Sequence, residues 1–308
     1  MSTPAGPPNG TNPAGALAAR EARLAWRLML PALVVLAFVA VVPLGATVWE
    51  SLHRHDLRLP WTGRPFVGLA NYVTAAADTR VRTALGHTLG FTAVSVALEL
   101  VLGLALALGL DALARGRGLA RVVVLLPWAL PTVVAALVWR FMFDSESGIV
   151  NAIAASVAPA LAIDWLAHPW AAWVPVVLGD VWKTTPFVAL LLLAGLQAID
   201  ASLYEAARLD GASAWRRFAH ITLPLLRPAI VVALIFRTLD AFRVFDLVYV
   251  LTGGGPGTAT EVLSLTAFTA LLQDLRFGYG SALSVIVFAV SFGLALVYVR
   301  AIGARTGR

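Results

Sequence analysis

The residues of this chain with the clearest capacity for chemistry are ionisable side chains set inside apolar runs. Asp180, Lys183, Thr184 and Thr185 interrupt one run; Arg237, Asp240, Arg243 and Asp246 interrupt the next. Charge in such surroundings is costly, so it marks a paired structural site, a cavity or a pathway. The second set recurs every three residues with alternating sign, so neighbours on a helix partly neutralise one another. If both runs are helices crossing in opposite directions, at about 1.5 Å rise per residue, Asp180 lies level with Arg243–Asp246 and Lys183 with Asp240. Two readings stay open. Asp180–Arg243 and Lys183–Asp240 could be internal salt bridges that hold the helices together, or the polar groups could line a cavity that hydrogen-bonds a hydroxylated solute. Phe242, Phe245 and Tyr249, at i, i+3 and i+7, would offer such a solute aromatic faces; plain packing is the alternative. Glu99 and Arg140 stand alone. Arg140 is expected to snorkel, and Glu99 has no assigned role.

Other chemistries find no support. The chain has no cysteine, which excludes disulfides and thiol catalysis. His53, His55, His87, His168 and His220 are scattered without metal-ligand spacing. The glycine-rich Thr252–Gly257 tract has no GK[ST] partner anywhere, so it reads as a flexible turn rather than a phosphate loop. With no Ser/His, paired-Asp or metal constellation, the chain is expected not to be an enzyme and to bind no metal or cofactor itself.

The elements that must position the charged residues follow from hydropathy. The chain has 308 residues, of which 59% are hydrophobic and 13% charged, which is the composition of an all-α polytopic membrane protein. Six spans are expected at about 28–49, 84–110, 119–143, 171–199, 225–251 and 281–302, each exceeding the roughly 20 apolar residues that cross a bilayer. Residues 1–24 read as a disordered tail, and the first apolar run as a retained helix rather than a signal peptide. The net charge of +6 rests on arginine, Lys183 being the one lysine. Twelve arginines fall in one set of connections and six in the other, which predicts both termini on the cytoplasmic side of a bacterial cell membrane. Arg54, Arg58, Arg64, Arg80 and Arg82 in the first outer loop weaken that bias without reversing it.

Between the fourth and fifth runs lies a polar segment, YEAARLDGASAWRRFAHITLPLLRP, at Tyr204–Pro228. Leu203–Leu209 reads as a short amphipathic helix, stopped at Gly211 by a left-handed residue and followed by a second turn. Helix, break, helix makes a compact knob that can sit in a socket. Glu205-Ala206-Ala207, Gly211, Ile221, Leu223 and Pro224 match the spacing EAA-x3-G-x9-I-x-L-P, and here the chain resembles the membrane subunits of binding-protein-dependent ABC importers. Over about 25–305 it is similar to the carbohydrate permeases of the maltose, glycerol-3-phosphate and trehalose type. The tracts DVWKTTPFVALLLLAGLQAI and FRTLDAFRVFDLVYVLTGGGP look closest to the first permease subunit of actinobacterial trehalose importers.

That resemblance implies a type I importer permease fold, with a cytoplasmic coupling loop at 200–224. It implies a heterodimer with a second permease subunit, a separate ATPase dimer that uses ATP and Mg, and an extracytoplasmic solute-binding lipoprotein. Carried over by position, Glu205, Ala206, Ala207, Asp210, Gly211 and Ala212 would couple to the ATPase. Asp180, Thr184, Phe187, Asp240, Ala241 and Val244 would line the solute site, with Lys183 and Arg243 close by. Val244 stands where some relatives carry an amide, a departure from the pattern. A proton-coupled secondary transporter working through Asp180, Lys183 and Asp240 is the competing reading, but it leaves the knob without a task. A permease for a non-sugar solute is the alternative within the importer class.

Overall fold

The computed structural model describes residues 13–113, 115–158 and 163–306. All regular structure in that range is helical, apart from an isolated bridge between His53 and Phe66. In chain order the helices are α1 (Pro13–Ser51), α2 (Ala70–Ala77), α3 (Thr79–Ala112), α4 (Arg117–Ala129), α5 (Thr132–Met142), α6 (Ile149–Val157), α7 (Trp173–Gln197), α8 (Ala201–Leu209), α9 (Ala214–Arg217), α10 (Leu223–Phe242), α11 (Asp246–Leu251), α12 (Leu263–Phe268) and α13 (Phe277–Thr306). Five helical stretches, those of α1, α3, α7, α10 with the turns before it, and α13, are each long and apolar enough to cross a membrane.

The centre of the bundle is the α3–α7 pair, with α10 laid against both. Gly103 lets the two backbones approach: a Cβ there would meet Val188 Cγ1 at 2.7 Å. Small residues at helix contacts are the usual means of close packing in lipid, where apolar burial alone supplies little drive. Ala107, Leu110, Val188, Leu192, Leu196 and Leu226 form one buried cluster along this seam. A second, around Phe91, Val176, Leu247 and Val248, fills the opposite half. α1 lies outside, packed on α13, and shows its apolar side chains to the surroundings.

Two expected spans are broken. The run at 119–143 is not one helix: α4 and α5 meet at an angle of 85°. Pro131 disfavours the α conformation at Leu130, which sits at φ −71°, ψ 139°, and it carries no N–H to continue the ladder. The run at 225–251 is likewise split, α10 ending at Phe242 and α11 starting at Asp246. Non-helical backbone at membrane depth is tolerated where it is buried in protein or lines a cavity, and both breaks meet that condition below.

The ends differ from expectation too. Residues 13–24, expected without structure, form the start of α1, while 1–12 lie outside the described residues. The Thr252–Gly257 turn is held rather than loose. Thr252 and Thr260 hydroxyls pair at 2.7 Å, Thr260 Oγ1 donates to the Gly255 carbonyl at 2.8 Å, and Trp173 Nε1 donates to the Ala259 carbonyl at 3.0 Å.

Candidate functional site

The knob is built by local chemistry. Asp200 caps α8 by accepting the Ser202 N–H at 2.9 Å, and this bond holds its carboxyl below the usual carboxylate range. Gly211 stops the helix at φ +74°, a conformation that costs most side chains about 1 kcal/mol or more. Ala212 N–H then bonds back to the Ala207 carbonyl at 2.9 Å, closing the helix end. Ser213 caps α9, with Oγ accepting the Arg216 N–H at 3.3 Å. Within the knob Arg217 donates to the Ala212 carbonyl at 2.6 Å, and Tyr204 and Thr222 hydroxyls, paired at 2.9 Å, tie it to the turn that leads into α10.

Glu205, Ala206 and Ala207 therefore sit on α8, and Asp210, Gly211 and Ala212 form the turn after it. Glu205 also faces a cleft of about 860 Å³ between the knob and the ends of α3 and α7, where Tyr204, Arg208, Trp215 and Arg217 join it. Leu209 is 90% and Trp215 74% exposed. Large apolar groups this open at the tip of a polar knob suit a contact surface; the motif spacing marks neither of them.

The second site is a partly open cavity of about 140 Å³, with Asp240, Arg243 and Asp246 exposed along it. Asp180, Lys183 and Thr184 reach it from α7, and Asp240 and Ala241 from the last turn of α10. Arg243, Val244 and Phe245 reach it from the gap before α11, and Thr132 from the first residue of α5. Both helix breaks thus open onto the same space. Seven of the eight sequence-derived solute-site residues meet here; Phe187 instead packs on Trp128 and Phe236.

Behind the cavity lies an ion cluster centred on Arg237, which is 2% exposed. Its Nε and Nη2 grip the fully buried Glu99 of α3, the Nη2–Oε1 bond measuring 2.7 Å. Nη2 also reaches Asp180 Oδ2 at 3.1 Å, and Nη1 bonds Asp240 Oδ2. Thr184 Oγ1 lies 2.7 Å from Glu99 Oε1 and 2.6 Å from the Asp180 carbonyl, sharing its proton between them. One fork-shaped guanidinium, with five donors in a plane, is the group suited to serve several carboxylates at once.

The expected pairs Asp180–Arg243 and Lys183–Asp240 are absent among the described residues. Both aspartates turn to Arg237, and Arg243 Nε donates to the Leu239 carbonyl at 3.1 Å. Matching depths along α7 and α10 omits α3, whose Glu99 holds Arg237 level with both aspartates. The aromatic stripe is also divided by the break: Phe242 is fully buried, while Phe245 and Tyr249 stack on each other and on Phe268 of α12. Arg140 does not extend away freely but donates to the Val250 carbonyl at 3.2 Å.

A bundle of apolar helices, a polar cavity at two broken spans and a projecting knob define a multi-pass membrane transport component. The family model for the binding-protein-dependent transport system inner membrane component matches residues 99–306, and the chain belongs to that family. It is 46% identical over 282 residues to the trehalose/maltose transport system permease protein MalF of Thermococcus litoralis, covering 91% of this chain and 94% of that one. It is 44% identical over 285 residues to the trehalose transport system permease protein SugA of Mycobacterium tuberculosis, covering 92% and 90%. A crystal structure of a bacterial ABC transporter that imports alginate shares the fold at a TM-score of 0.79 and 22% identity, covering 94% of this chain and 98% of that one. The chain is a permease of a binding-protein-dependent ABC importer, and not an enzyme.

Proposed function

We propose that this permease carries a sugar, a disaccharide of the trehalose or maltose kind, through the cavity at the two helix breaks. The observation that carries the reading is the convergence of Asp180, Lys183, Thr184, Asp240, Ala241, Arg243 and Val244 on that one space. The cavity wall carries Asp180, Asp240 and Asp246 against Lys183 and Arg243, a near balance of charge that suits a neutral, densely hydroxylated solute. Phe245 adds an aromatic face. At about 140 Å³ the cavity is smaller than the roughly 300–1,000 Å³ of typical small-molecule sites, so a second permease subunit supplies the facing wall. The names of the two relatives, at 46% and 44% identity, support the sugar class.

In this reading both termini and the knob face the cytoplasm. A separate ATPase dimer, using ATP and Mg, receives the knob through Glu205, Ala206, Ala207, Asp210, Gly211 and Ala212. A solute-binding protein delivers the sugar from the other side. ATP-driven closure of the ATPases would move the knob and rock the helices around the cavity.

The test is ATPase activity and uptake by the co-purified complex in lipid bilayers, scanned with binding protein plus individual sugars. Stimulation by trehalose or maltose is expected, with Asp240→Ala lowering uptake while the ATPase stays bound. Solute uptake by this chain alone, with no ATPase present, would return the secondary-transporter reading.

A further inference from the structure

Glu99 and Arg237 do not line the cavity, yet they hold two residues that do. Asp180 comes from α7 and Asp240 from α10, and each commits its Oδ2 to Arg237. The burial pattern separates this arrangement from a simple structural ion pair. A pair that only holds helices together needs one carboxylate per guanidinium, and Glu99 alone, bonded through both oxygens, would satisfy it. The third partner is different in kind: the Asp240 side chain is 68% exposed and so already solvated, while Arg237 is already paired through Glu99, so holding the helices together does not require this contact. What the contact does achieve is orientation. Asp240 lies two residues before the end of α10, where the backbone leaves the helix to wall the cavity. Without a tether, its carboxylate would take several rotamers there.

Building on the sugar-site reading, we infer that Glu99 and Arg237 are positioning residues. Their buried pair sets the spacing between the Asp180 and Asp240 carboxylates, and so the pattern of hydroxyls the cavity accepts. Thr184 belongs to the same device: its hydroxyl joins the Glu99 carboxylate to the wall of the cavity. Sites built this way lose selectivity when the supporting groups are altered, even though the groups facing the ligand are intact.

The experiment uses the whole importer in proteoliposomes, with trehalose and maltose as probes, and three variants: Glu99→Gln, Arg237→Lys and Glu99→Asp. Assembled complex, ATP hydrolysis and uptake are measured together. For Glu99→Gln and Arg237→Lys the expected result is uptake per assembled complex lowered by about tenfold, the scale on which outer supporting groups act elsewhere, with a changed trehalose-to-maltose ratio. ATP hydrolysis per complex stays within about twofold, because the knob is untouched. A purely structural role would lower assembly, hydrolysis and uptake in parallel and leave the sugar ratio alone; that result overturns the inference, as does wild-type uptake by either variant. If both variants fail to assemble, Glu99→Asp decides, because it keeps the buried charge, draws the carboxylate back by one methylene and alters no group that lines the cavity: a shifted sugar ratio upholds the inference, and an unshifted one ends it. Absence of sugar uptake by the wild-type complex would be a different failure, that of the sugar reading itself.

Discussion

The knob and the buried ion cluster are built on opposite plans. The knob is assembled from neighbours: every bond that shapes it, from the Asp200 cap to the Arg217–Ala212 contact, joins residues within about twenty positions of each other. The cluster joins Glu99 to Arg237, 138 residues apart, and Arg237 to Asp180, 57 apart. The knob shows Leu209 and Trp215 to the outside, whereas the cluster hides Arg237 and Glu99 almost entirely. A projecting surface can be set by local turn chemistry. A site that must hold groups on separate helices in register needs long-range bonds.

This contrast makes predictions that differ in kind. The largest effect is expected from Arg237→Met, which strands Glu99 and Asp180 as buried charges; breaking such a pair costs about 3–5 kcal/mol. Thermal unfolding of the solubilised protein should fall sharply and little should accumulate in the membrane. Normal stability would show that the cluster carries no structural load. Gly211→Pro comes next, with effect on function rather than folding. Proline cannot adopt φ +74° and lacks the N–H that Gly211 donates to the Arg208 carbonyl. Uptake should vanish while insertion stays normal, and Glu205→Arg should do the same. Transport by either well-expressed variant would remove the knob from the coupling role.

Smaller effects test how the two regions are tied to the bundle. Gly103→Ala places a methyl group 2.7 Å from Val188 Cγ1, at the seam that brings α3 and its Glu99 to α7; overpacking of this sort costs about 1–3 kcal/mol. The expected readout is a lower melting temperature together with weaker sugar uptake. Tyr204→Phe removes the bond to Thr222 and should cost about 0.5–1.5 kcal/mol, seen as faster hydrogen exchange in α8 with uptake reduced only a few-fold. If exchange in α8 is unchanged, the knob stands without that tether.

Four of the six arginines in the minority set of connections, Arg276 among them, have partners in three dimensions. Arg58 pairs with Asp56, Arg64 with Glu50 and Arg80 with Glu261, while Arg276 lies 4.2 Å over the Tyr279 ring. Three of those six cations meet a carboxylate. Counting arginines along the chain registers the cations but not their partners.

Amino-acid order by itself determined the apolar spans, because about 20 apolar residues in a row have few other solutions. It also determined the knob, since a cap, a left-handed glycine and a second cap act on their own neighbours. The charged residues that line the cavity from α7 and the end of α10 were legible as charges in apolar runs. Tertiary structure alone decided their partners. Arg237 was visible as one charge among four on its run, and Glu99 as a lone carboxylate, but nothing along the chain brings 99 to 237. Their pairing depends on α3 packing against α7 closely enough, at Gly103, to lower Glu99 into the gap. The breaks at Pro131 and after Phe242 are of the same kind. Pro131 marks where the first can bend and no proline marks the second, and whether the freed backbone is tolerated at that depth depends on the cavity that other helices enclose.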